Sequence, residues 1–83
     1  MKIAVKYFAS IRETIGVSHE SIDTTAANLA VLRDELIALG GAHAESLARG
    51  RAVRLALNQV MSDESAVLVD GAEVAFFPPV TGG

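Results

Sequence analysis

Cysteine is missing from the 83 residues. Disulfides, zinc–thiolate sites, thiol nucleophiles and side-chain persulfides are thereby excluded. If this protein handles sulfur, the sulfur sits somewhere other than on a cysteine. Positive charge is also scarce. Seven Lys and Arg, scattered along the chain against ten acids, leave a net charge of −3. No cluster could follow a phosphate backbone, so nucleic acid is not an expected partner. Long apolar runs are lacking as well. The opening KIAVKYF is interrupted at Lys6, which makes it neither a signal core nor a membrane span. The expected location is the cytoplasm, with no membrane partner. Against these absences stands a globular composition, 51% hydrophobic and 20% charged. The length suits a single domain over residues 1–83, with a core only just sufficient.

Catalytic groupings are not found either. His19 and His43 lack metal-ligand spacing and read as a solvated strand residue and a loop residue. Asp34 and Glu35 read as helix surface. Leu39–Gly41 reads as a helix end, without the pattern of a phosphate-binding loop. Ser10, Ser18 and Ser62 have no nucleophile-elbow context. No metal site is expected.

Alternation sets the strands. Lys2–Phe8 puts Ile3, Val5 and Tyr7 on one face and Lys2, Ala4, Lys6 and Phe8 on the other. Ser10–Gly16 reads as a short turn or helical loop. Val17–Asp23 reads as a polar strand suited to a sheet edge. Leu29, Leu32, Leu36 and Leu39 form one apolar stripe of a helix over Asn28–Gly41, with Asn28 as N-cap and Gly40 just past its end. Ala42–Arg51 is a helical extension or a loop. Ala52–Asn58 alternates again, with Val53, Leu55 and Leu57 inward. Asn58-Gln59 turns into a short strand at Val60-Met61, Ser62–Ser65 is loop, and Asp70-Gly71 is a turn. Glu73–Phe77 is the last strand. Two strands, one helix and three strands suggest an α+β chain, a single mixed sheet with one main helix packed on one face. This is the β-grasp arrangement, with the first and last strands adjacent at the centre.

Phe8 and Phe77 are out of phase with the core residues of their strands. If the strands are neighbours, both emerge together on the uncovered face, near Ala56 and Ala75, as an apolar patch of the kind that marks a binding surface. The chain has two prolines, and they stand side by side after Phe77. Proline cannot donate to a sheet ladder, so the strand ends there. A Pro-Pro pair favours a stiff extended segment. It directs residues 78–83, read as an extended flexible tail, away from the body. Val80, Thr81, Gly82 and Gly83 span about 13–14 Å when extended, and glycine, lacking a Cβ, can thread a channel closed to other residues. The distinctive reactive group is the terminal carboxylate of Gly83. It is inert until activated, for example as an acyl-adenylate that a sulfur donor can attack, and a thiocarboxylate there would be a strong nucleophile.

The segment DGAEVAFFPPVTGG (70–83) closely resembles the C-terminus of the sulfur-carrier small subunits of molybdopterin synthase. YFASIRETIG (7–16) and LNQVM (57–61) are similar to that family's first-strand and hairpin segments. The resemblance implies a ubiquitin-like β-grasp fold. It also implies that an E1-like activating enzyme uses ATP to adenylate Gly83, which then becomes a thiocarboxylate. The tail enters the active site of the large subunit and supplies sulfur to cyclic pyranopterin monophosphate for the molybdopterin dithiolene. The assembly has two small and two large subunits, with the catalytic residues on the large one. The small subunit holds no cofactor beyond the transient glycyl-adenylate or 1-thioglycine. Gly83 matches the acceptor and donor, and Gly82 the slender residue behind it. Phe8, Met61 and Phe77 match the family's apolar partner contact, and Arg12 falls in a segment used near the partner. Gly40–Arg51 matches no motif. The competing readings are a sulfur carrier for another pathway, such as thiazole synthesis, a ubiquitin-like protein modifier joined through Gly83, and an interaction domain with an inert terminus.

Overall fold

The computed structural model describes residues 1–79. In chain order the elements are β1 (Lys2–Tyr7), α1 (Ala9–Ile15), β2 (His19–Asp23), α2 (Leu29–Ala38), α3 (Gly41–Leu47), β3 (Arg54–Leu57), β4 (Val60–Ser62) and β5 (Glu73–Phe77). The five strands form one sheet in the order β2-β1-β5-β3-β4. β1 and β5 run parallel at its centre, and every other pair is antiparallel. The expected mixed sheet, with first and last strands adjacent, is what forms.

Strand phase decides the core. Ile3, Val5 and Tyr7 of β1, Val74 and Phe76 of β5 and Leu55 of β3 are buried against Leu29, Leu32 and Leu36 of α2 and Leu47 of α3. Each large apolar side chain so buried contributes about 1.5–3 kcal/mol of transfer free energy. α2 begins as its sequence dictates, with the Asn28 side chain accepting from the Val31 amide at 2.9 Å. Past its C-cap Leu39 comes Gly40, whose φ of 76° with ψ of −170° is backbone open to glycine alone, and the helix stops there.

Four expectations need correction. β1 stops at Tyr7, not Phe8, because Ala9 turns to a φ of 52° and starts α1. Leu39 does not share the buried stripe. It lies at the C-cap, where the last turn has left the sheet, and is 61% exposed. The main helix has two short companions: Ser10–Gly16 is occupied by α1, and the ambiguous 42–51 segment begins as α3. His43 is not a solvated loop residue but part of α3, facing the sheet. Among the described residues no helix is long and apolar enough to cross a membrane.

Candidate functional site

β1 and β5 are parallel, so both end at the same edge of the molecule. There the Phe8 amide donates to the Phe76 carbonyl at 3.2 Å, and the Phe8 carbonyl receives the first amides of α1, from Ile11 and Arg12. Phe8 is therefore a fixed pivot between strand and helix, with its ring turned to the sheet face that α2 leaves uncovered. Phe77 reaches the same face from β5. The two rings stack with centroids 4.6 Å apart and planes 9° from parallel, a pairing worth about 0.5–1.5 kcal/mol beyond area burial. Phe8 stays 37% exposed, while Phe77 is half-buried.

The pairing register completes this face. Ala75 lies between Lys6 and Ala56, and Met61 lies opposite Ala56. Both alanines are buried although no helix covers them, and Met61 is 54% exposed. The result is a shallow dish with an alanine floor and large side chains around it. Lys6 closes one side through an ion pair with Glu73 at 2.9 Å. The fold thus brings Phe8, Phe77 and Met61 to one surface. Arg12 sits exposed on α1, and its guanidinium makes no ion pair among the described residues.

Pro78 and Pro79 continue directly from β5. The ladder with β3 ends at the Arg54–Phe77 pair, where the proline nitrogen has no proton to give. Beside the two prolines lies a groove of about 540 Å3, walled by α1 on one side, by α3 on another and by residues 51–53 leading into β3. Val80, Thr81, Gly82 and Gly83 lie outside the described residues.

Two polar clusters went unread in the sequence. The Glu20 carboxylate, on the core side of β2, accepts from the Tyr7 hydroxyl at 2.6 Å and lies 2.7 Å from His43 Nε2. Burial acts to raise the Glu20 pKa, but the hydrogen bonds from His43 and Tyr7, with the His43 charge, outweigh it and hold the carboxyl below its usual range. Burial first, then the bond to Glu20 and its charge, pushes the Tyr7 hydroxyl far up, so it remains a donor. The second cluster centres on Arg33, 3% exposed on α2. It donates to the carbonyls of Leu47, Ala48 and Arg51 and pairs with Glu64. Glu64 and Asp34 in turn hold Arg49. These bonds pin α3 at both ends, His43 to the sheet and the Leu47–Arg51 turn to α2. Neither cluster resembles a catalytic site. Among the described residues no group of three or more His, Cys, Asp or Glu could hold a metal.

The ThiS family profile matches residues 5–83. The molybdopterin synthase sulfur carrier subunit of Haemophilus influenzae is 37% identical over 79 residues, covering 95% of this chain and 96% of that one. Among solved structures, the complex of subunits 1 and 2 of molybdopterin-converting factor from Helicobacter pylori contains a chain 30% identical, with a TM-score of 0.70 and full coverage of both chains. SAMP1 of Haloferax volcanii, a small archaeal modifier protein, is 27% identical with a TM-score of 0.72, again with full coverage of both.

Proposed function

The chain belongs to the ThiS family, and from that premise we propose that it is the sulfur-carrying small subunit of a molybdopterin synthase. The observation that carries this reading is the common exit of the stacked Phe8–Phe77 pair and the Pro78-Pro79 strut, immediately ahead of Val-Thr-Gly-Gly. An apolar plate for docking stands at the root of a stiff lead to a slender end. The naming of the H. influenzae relative supports the same reading.

In the proposed cycle a cytoplasmic E1-like enzyme transfers the adenylyl group of ATP to the Gly83 carboxylate, releasing pyrophosphate. A sulfur donor then displaces AMP from the carbonyl carbon and leaves a thiocarboxylate. Docking through Phe8, Met61 and Phe77, with Arg12 at the margin, places the tail in the active site of the large subunit. There the sulfur of Gly83 attacks a carbon of cyclic pyranopterin monophosphate and displaces an oxygen substituent. Water then cleaves the resulting thioester to return the Gly83 carboxylate, and two such transfers supply the dithiolene. The catalytic side chains are those of the large subunit. The working assembly is two small and two large subunits. This chain contributes the nucleophile and its delivery, and holds no resident cofactor.

The test is intact mass after incubation with the activating enzyme, ATP and a sulfur source. One carboxylate oxygen should be replaced by sulfur at Gly83. An unchanged mass would reject the carrier role. The likeness to SAMP1 favours a second reading, a protein modifier joined through Gly83 to lysines. Isopeptide adducts in cell extracts would support that reading, and their absence alongside thiocarboxylate formation would dismiss it.

A further inference from the structure

We infer that the groove beside Pro78-Pro79 is a second docking surface, which seats an extended segment at the mouth of the protein that receives the tail. The inference rests on the carrier reading above and adds to the Phe8–Phe77 face a site on the opposite side of the strut.

The reach of the tail sets the first constraint. Four residues follow Pro79 in the sequence, and fully extended they span about 13–14 Å. A reacting carbon at Gly83 can enter an enclosed active site only if the mouth of that site comes up against Pro79 itself. Pro79 forms part of the groove wall, so a mouth that comes up against it either fills the groove or leaves about 540 Å3 of open space beside the contact. Filling it adds packed surface where the tail enters.

The groove has the chemistry of a strand acceptor. The β3–β5 ladder stops at Arg54–Phe77, yet Ala52 and Val53 carry on beside the prolines. No hydrogen bond among the described residues engages the main chain of either. Ile11 and half-buried Val53 give it apolar walls, and exposed Thr14 stands at its side. Ser46, on the α3 wall, carries a buried hydroxyl with no partner among the described residues. By alternation from the bonded Arg54–Phe77 pair it is Ala52 whose free main-chain groups turn toward the prolines. Such groups beside apolar walls suit an extended peptide, which takes its affinity from backbone bonds and its specificity from side chains. This gives α3 a purpose: the His43 and Arg33 anchors hold the outer wall of the groove in place.

The test uses the full chain, the cognate large subunit, and the variants Thr14→Trp and Ala52→Trp. Both sites are exposed on the groove, so a bulky ring fills it without entering the core. Each variant should melt as the wild type does and bind the large subunit at least tenfold more weakly. Independently of any variant, amide exchange at residues 51–53 should slow on complex formation. Binding by both variants within twofold of wild type, or unchanged exchange at 51–53, overturns the inference. So does slower exchange there in the free full chain than in a chain ended at Pro79, which would make the tail itself the occupant. A wild-type chain that does not bind the large subunit removes the carrier reading and this inference with it. Wild-type binding that both variants retain removes the inference alone.

Discussion

Glu20 sits on an edge strand that looked suited to solvent, yet its carboxylate joins Tyr7 of the central β1 to His43 of α3. Its pKa in the folded chain is depressed. The stability it lends is therefore present above the unfolded carboxylate pKa, about 4.3, and is lost as pH falls through the lower folded value. Melting temperature should decline across that acid window, and Glu20→Gln should flatten the decline while lowering stability at neutral pH. An identical pH profile in the variant would show that the three groups are not coupled. Arg33 is the stronger test of buried polarity. Arg33→Met leaves the carbonyls of Leu47 and Arg51 without their side-chain donor, while the Ala48 carbonyl keeps the Arg51 amide and Glu64 keeps Arg49. It should cost about 2–3 kcal/mol in chemical denaturation. Neither cluster was legible in the sequence. Arg33 lies 14 to 31 positions from its partners and His43 lies 23 from Glu20, and local pattern says nothing about what a polar residue meets across the fold.

The elements were legible wherever a period of two or of three to four governed burial. Phe76 and Phe77 are one position apart and differ in fate, the first fully buried and the second on the open face beside Phe8. Phe76→Ala should lower stability by about 3–5 kcal/mol. Phe77→Ala should cost the isolated chain less, about 1–2 kcal/mol from lost stacking and partial burial, while weakening the complex with the large subunit by about 2 kcal/mol or more. Thermal melts of the free chain beside titrations of the complex separate the two, and equal stability losses would refute the assigned faces. α3 escaped this reading because a seven-residue helix shows too little of any period. It is made by its surroundings, between the positive-φ Gly40–Gly41 turn and the Arg33 bonds. Leu39 misled for a related reason: it kept the spacing of the stripe one step beyond the point where the helix ends.

At the scale of the whole molecule, carrier function demands a rigid body and a narrow end. The body and the strut fall within the described residues, and the end was legible only as sequence. Gly82→Val should leave affinity for the large subunit nearly unchanged. It should lower turnover from a preformed thiocarboxylate by about a hundredfold, since a misplacement of about 1 Å at the reacting centre is enough for that. Wild-type turnover by this variant would show that the Gly-Gly end is not there to fit a channel. The sheet order carries one more consequence, for the timing of synthesis. β5, made after the other four described strands, lies between β1 and β3. A nascent chain that has not yet emitted Glu73–Phe77 holds two unpaired strand edges and no sheet centre, and distant partners of this kind close slowly. Folding must therefore await the residues just ahead of the strut. A chain ended before β5 should stay unfolded and be cut rapidly by a protease that leaves the full chain intact.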